Sequence, residues 1–267
     1  AVLAEYEVPS PSELGVAGTY IQNTPRYNQI EKRKKNDLVF VPIGCTENHG
    51  LHANTGLDTF MCTSIVEAVR RYTKKQVREC NLAFTPLNYG GHPYHHIGMP
   101  GTVIMPEEVV RESVIYMMLG LWNDGYRKII LVNNHGHLWM LESAIQEFCK
   151  RYQLPGIFRV IDWHRAVREF FYPTDDGLGM ETQFIHADEA ETSVSLLMFK
   201  DMINMDVVQD SLGEPLLPNE HFDTSVDPYH RPNKWSEGEG HAAIERKATP
   251  EGVVGTPSIS TARKANR

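Results

Sequence analysis

Four short apolar runs, alternating with helix-length amphipathic stretches, do most to narrow what this chain can fold into. Leu38-Val39-Phe40-Val41-Pro42-Ile43-Gly44, Leu82-Ala83-Phe84-Thr85-Pro86-Leu87, Lys128-Ile129-Ile130-Leu131-Val132 and Ile157-Phe158-Arg159-Val160-Ile161 are of strand length and rich in β-branched residues. Thr59 to Arg71 places Ile65, Val66 and Val69 on one helical face, and Leu138 to Tyr152 and Glu191 to Lys200 are of similar kind. Pro106 to Asn123 opens on Pro-Glu-Glu, a favourable first turn because proline has no N–H to waste and acids suit the positive helix end. Strands that alternate with helices predict an α/β domain with a mostly parallel sheet. We read residues 1–267 as a single domain, with 1–36 as an N-terminal extension. The basic run Glu31-Lys32-Arg33-Lys34-Lys35 is read as a solvated helix end. The Pro-, Gly-, Asn- and Asp-rich stretch from about Gln209 to Gly240 is read as an irregular surface excursion.

Several classes drop out on charge and hydropathy. With 26 Lys+Arg against 34 Asp+Glu the net charge is −8, and no local basic patch offsets it, so neither a nucleic acid nor an anionic membrane surface is an expected partner. No apolar run reaches the roughly 18 residues of a membrane span. The opening Ala1-Val2-Leu3-Ala4-Glu5 lacks the pattern of a secretion signal. Cys45, Cys62, Cys80 and Cys149 are too widely spaced for a disulfide framework or a CxxC zinc site, which suits a reducing cytoplasm. No G-x-G-x-x-G follows a strand, which removes a dinucleotide fold.

Chemistry concentrates in the histidines, seven of whose twelve fall between His49 and His137. In a parallel sheet the carboxyl ends of the strands share one edge, and ligands bind in the crevice outside it. After the first run come Glu47 and His49, two apart and so on one side of an extended segment, with Asp58 at the start of the next helix. Carboxylate and imidazole are ligands that Zn, Mn or Fe accept; alternatively Asp58 caps its helix and Glu47 is solvated. After the third run stands Asn133-Asn134-His135-Gly136-His137, either a metal loop or a helix-entry loop with a satisfied histidine. His186, Glu189 and Glu191 precede an apolar helix, as a general acid/base beside metal-binding carboxylates or as acids answering a helix dipole. The segment Tyr89 to Thr102 carries His92, Tyr94, His95 and His96, a hydrogen-bonding wall rather than core.

Taken in series, these pieces resemble the creatininase family of binuclear metal hydrolases. The Glu47-x-His49-Gly50-x-His52 segment with Asp58, the N-x-H ending at His135, Pro100-Gly101-Thr102, the run from His186 to Ser193, and Gly252-Val253-Val254-Gly255-Thr256-Pro257 occur in that family's order and spacing. The resemblance implies a three-layer α/β/α fold and two divalent ions, Zn, Mn or Fe. Glu47 and His135 would hold one ion, His49 the other, and Asp58 would bridge them, the pair activating a water. It further implies His186 as proton shuttle, Trp163 as an aromatic substrate wall, and a homo-oligomer such as a hexamer.

The chain departs from the creatinine-cleaving members where they carry a Tyr-Glu pair after the N-x-H histidine, the Glu being a ligand. Here Gly136 and His137 stand there. The replacement ligand is expected to be Glu189, with Glu191 in support or as its alternate, or else His137. Thr182 and Ile185 likewise replace a second tryptophan and an acid. The expected substrate is therefore a small polar ring other than creatinine: a diketo-inositol opened by C–C hydrolysis, as in one branch of the family. His92, Tyr94, His95, His96 and His137 would meet its hydroxyls. Kept beside this are a cyclic amide or formamide C–N bond as the target, and a metal- or sugar-binding module without turnover. The presence of His186 beside two acids favours the enzyme.

Overall fold

A computed structural model describes residues 16–83, 87–93, 96–171, 179–182, 184–212, 222–223, 235–236 and 249–266. Helix α1 (Arg26–Lys35) ends in the basic run and buries no side chain, as a solvated helix should. The sheet follows, with strands β1 (Leu38–Ile43), β2 (Asn81–Leu82), β3 (Lys128–Asn133) and β4 (Ile157–Asp162) in the spatial order β2-β1-β3-β4, every neighbour parallel. The crossovers are α2 (Leu57–Gln76), α3 (Glu107–Asp124) and α4 (Leu138–Tyr152). The second apolar run is shorter as a strand than expected; beyond β2, Leu87 bridges to Ile43, and residues 84–86 lie outside the described ones.

Strand periodicity divides the core in two. Val39, Val41, Ile43, Ile129 and Leu131 point to one face, where Val114, Ile115 and Met118 of α3 meet Leu141, Ile145 and Phe148 of α4. Ile130 and Val132, from the intervening positions, join Leu82, Cys62 and Val66 on the α2 face. Helices on both faces of a parallel sheet make the three-layer α/β/α sandwich. Each fully buried aliphatic or aromatic side chain contributes about 1.5–3 kcal/mol. Among the described residues no helix is long and apolar enough to cross a membrane, and all four cysteines are free.

The order β2-β1-β3-β4 reverses direction between β1 and β3, the place where an open α/β sheet leaves a crevice at its carboxyl edge. One close approach draws the crevice tight. A side chain at Gly44 would meet the Thr59 backbone nitrogen at 2.5 Å, so the exit of β1 lies against the first turn of α2. Short helices α5 (Trp163–Ala166) and α6 (Glu189–Met198) complete the surroundings, and α7 (Ala262–Ala265) packs on α6. The expected surface excursion falls largely outside the described residues. Within it, β5 (Phe222–Asp223) pairs in parallel with β6 (Trp235–Ser236).

Candidate metal centre

Glu47 and His49 leave the end of β1, Asp58 enters from the first turn of α2, and His135 leaves the end of β3. Glu191 lies in the first turn of α6. Asp58 and Glu191 thus both enter from the first turn of a helix. All five residues are buried or nearly so. The donor atoms of Glu47, Asp58 and His135 lie within 4.8 Å of one another, and so do those of His49, His186 and Glu191. A further group of Glu47, His96 and His186 shares two of these residues.

Hydrogen bonds at the back of each ring decide which nitrogen faces the centre. His135 Nε2–H donates to the His92 carbonyl at 2.6 Å, leaving Nδ1 at 2.8 Å from Glu47 Oε1 and 2.9 Å from Asp58 Oδ2. Burial opposes a charge on His135, but Cys45, Glu47 and Asp58 raise its pKa well above the ordinary histidine value, so the site calls for a proton, or a cation in its place, between the ring and the two carboxylates. His49 Nδ1–H donates to the Glu47 carbonyl at 3.2 Å, turning Nε2 to within 3.5 Å of Asp58 Oδ1 and 3.8 Å of Glu191 Oε2. Both His49 Nε2 and Asp58 Oδ2 are buried without a hydrogen-bond partner. Such orphans are costly.

The electrostatics tell the same story. Burial lowers the pKa of His49, yet the carboxylates of Asp58, Glu191 and Glu47 outweigh it and raise it to about 10. Burial lifts Glu191 to about 8, with Asp188 and Asp58 adding to the rise and His49 opposing it. Glu47 is held well below the usual carboxylate range, against its burial, chiefly by His135 and by the hydrogen bond from His96. The pocket calls for positive charge, and no Lys or Arg ion pair reaches these three acids among the described residues. The donor set, the orphaned atoms and the charge all fit divalent cations.

His186 stands at the open side. Its side chain is 18% exposed where His49 and His135 are 0% and 2%. Nε2–H donates to the Asn48 carbonyl at 2.8 Å, and Nδ1 faces Glu47 Oε1 at 3.9 Å. Burial keeps its pKa well below the ordinary histidine value, so the ring is neutral with an acceptor toward the centre. The Gly252–Gly255 segment clamps it: His186 and Val254 exchange backbone hydrogen bonds at 3.3 and 3.0 Å. A side chain at Gly255, whose φ is +148°, would strike Asp188 Cβ at 2.5 Å.

Several expected roles move. Glu189, expected as a ligand, turns away from the centre. Its carboxylate accepts from Lys264 Nζ at 2.5 Å and from Thr182 and the backbone of Glu181 and Thr182 at 2.7–3.0 Å. Glu191 takes the position by His49 instead. We predict that Glu189→Ala leaves metal content unchanged but destabilises the fold by about 1–3 kcal/mol, because the backbone N–H groups of Glu181 and Thr182 lose their acceptor and Lys264 keeps only Glu181 as an ionic partner. Denaturant unfolding beside metal analysis checks both halves.

The expected substrate wall also divides. His96 is buried and donates from Nδ1 to Glu47 Oε2 at 3.0 Å, steadying that carboxylate. His137 is fully buried behind His135, their rings edge-to-face at 4.5 Å, so it presents no surface to a ligand. His92 is half-buried, edge-on to the exposed Trp139 at 5.1 Å. Tyr94 and His95 lie outside the described residues. Trp163 donates its indole N–H to Asn134.

Asn134 and Thr102 lie in the sequence motifs without a ligand or substrate role, and both support the site. Thr102 accepts the Asn48 N–H at 2.9 Å and so holds the loop between Glu47 and His49, which accounts for the Pro100-Gly101-Thr102 motif. Asn134 supports the site through a side-chain hydrogen bond, its Nδ2 donating to Asp58 Oδ1 at 3.1 Å.

Known proteins resemble this chain in sequence and fold. The chain is 40% identical over 248 residues to 3-dehydro-scyllo-inosose hydrolase of Thermotoga maritima, covering 93% of this chain and 78% of that protein. A mutant creatininase described as of Zn-Zn type superposes with a TM-score of 0.71 at 17% identity, over 94% of this chain and 92% of that one. A creatininase described with Mn gives 0.67 at 18% identity, over 93% and 91%. Residues 24–267 match the creatininase family, described as creatinine amidohydrolase. This chain belongs to the creatininase family of metal-dependent hydrolases.

Proposed function

We propose that the chain opens a diketo-inositol, 3-dehydro-scyllo-inosose, by hydrolysis of a ring C–C bond at a binuclear centre. The observation that carries this reading is the convergence of two adjoining donor groups, one of Glu47, Asp58 and His135 and one of His49, His186 and Glu191, in a chain 40% identical to a hydrolase of that compound. Glu47, Asp58 and His135 would hold one divalent ion, and His49, Asp58 and Glu191 the other. Zn, Mn and Fe suit the donors, and the creatininases of similar fold are described with Zn or Mn. Bound there, the ions would supply Lewis acidity and bring the pKa of a held water to about 7.

The chain's own residues do the rest. His96 and Asn134 fix the carboxylates of Glu47 and Asp58, and the rear hydrogen bonds of His49 and His135 fix their tautomers. His186 takes a proton on Nδ1 as water adds to a ring ketone, and returns it to the carbon released when the C–C bond breaks. A homo-oligomer in the cytoplasm accompanies this reading through the family.

Against a panel of diketo-inositol, creatinine and a cyclic formamide precursor, the enzyme is expected to turn over the first and leave creatinine essentially untouched. Chelation should abolish the activity and Zn, Mn or Fe restore it. Creatinine turnover in place of diketo-inositol would overturn the substrate while leaving the metal centre standing. Metal binding without turnover of any of the three would favour a binding module.

A further inference from the structure

We propose that Trp163 is a positioning residue for the metal centre, its indole N–H acting through Asn134 to set the angle at which Asp58 presents its two oxygens. This rests on the binuclear reading above.

The relay has a polarity that no flip can reverse. An indole N–H only donates, and an ionised carboxylate only accepts. Asn134 stands between them, so its Oδ1 must take the Trp163 N–H, and its Nδ2 must give to Asp58 Oδ1, at 3.1 Å. Each member is held. Asn134 is 1% exposed, and its backbone N–H donates to the Ile43 carbonyl at 3.1 Å, tying it to the end of β1. Its neighbour Asn133 donates to Asp162 at 2.9 Å and to the His135 carbonyl at 2.6 Å, so the end of β3 is also tied to the end of β4.

The indole is itself locked, packed against His164 at 4.4 Å and edge-on to Phe171 at 5.4 Å. It also touches the apolar clusters of Val66 and Ile130, and of Leu57 and Met61. An aromatic ring wedged among three clusters serves poorly as a substrate platform and well as an anchor. At the other end of the relay, the oxygen that receives the hydrogen bond, Asp58 Oδ1, is the one 3.5 Å from His49 Nε2. Its partner Oδ2 faces His135. One hydrogen bond therefore decides how both sets of donors are presented.

The test compares Trp163→Phe, which keeps the ring and loses the donor, with Asn134→Leu and the double variant. Metal affinity is read by competition with a chelator, KM is measured at saturating metal, and thermal unfolding of the metal-free proteins checks the fold. We expect metal to bind about 10–100-fold more weakly in Trp163→Phe, the range for a lost supporting hydrogen bond, with KM unchanged. The double variant should bind no more weakly than Asn134→Leu alone, since both changes break one relay. Wild-type metal affinity with a raised KM in Trp163→Phe would overturn the relay and restore a substrate wall. A wild-type protein that binds no metal would instead sink the binuclear reading, and the relay with it.

Discussion

Asp58→Asn is expected to strip the centre of metal and to lower kcat/KM by at least about 10³-fold. The size follows from the residue's position between two imidazoles. Oδ2 lies 2.9 Å from His135 Nδ1 and Oδ1 3.5 Å from His49 Nε2, so the one carboxylate belongs to both donor sets. Asparagine has nearly the same shape, but it brings no charge and only one acceptor oxygen. Whichever way its amide turns, one ion would face an N–H. Losing the Lewis acid and the activated water together forfeits several kcal/mol of transition-state stabilisation, and each 1.36 kcal/mol is about tenfold in rate. Metal analysis after gel filtration, paired with steady-state kinetics, reads both quantities. A variant that keeps its metal and its rate would show that Asp58 does not bridge. Loss of metal from Asp58→Asn but not from Glu189→Ala would separate the acids that face the centre from the acid that serves the fold.

That separation marks the limit of what was legible in the sequence. The sheet was legible because parallel strands covered on both faces must be apolar along their length; Lys128–Asn133 and Ile157–Asp162 each extend one residue past the expected run. Leu138–Tyr152 was legible at both ends, where the histidine-rich loop precedes it and Gln153 turns into the left-handed region. Glu47, His49, Asp58 and His135 were legible as a group, since each follows a strand or opens a helix at the same edge.

Glu189 and Glu191 could not be told apart. Two residues apart on a helix of 3.6 residues per turn they face about 200° apart, so only one can look into the crevice. Which one is decided by Lys264, which reaches Glu189 from far along the chain. His96 and His137 failed for the same reason. A histidine-rich loop advertises polarity, but whether a given ring backs a ligand, is sealed behind one or meets a substrate depends on contacts across the fold. Neither Asp188, capping α6 by accepting the Glu191 N–H, nor Ala187, whose φ of +49° swings the chain from His186 into that helix, is marked by spacing.

His186→Ala is expected to keep its metal and to lose about 10²–10⁴-fold in kcat, the range for removing a positioned acid/base. Metal retention follows because Glu47, Asp58 and His135 on one side, and His49, Asp58 and Glu191 on the other, remain complete without it. The loss of rate follows from its tautomer. With Nε2–H committed to the Asn48 carbonyl, the free lone pair is on Nδ1 at the open side of the centre, and burial keeps it unprotonated. The sign for pH is then definite. The base form persists as pH falls below 6.5, so the acid limb of the wild-type kcat profile that belongs to this group lies well below that value, and His186→Ala should lack it. Because the ring is the most accessible of the three flanking Glu47 Oε1, imidazole added to the buffer should restore part of the variant's rate, which it would not do for a side chain that only props the loop. If metal departs together with activity, His186 is a ligand of the second donor set, and the proton must be carried by another group.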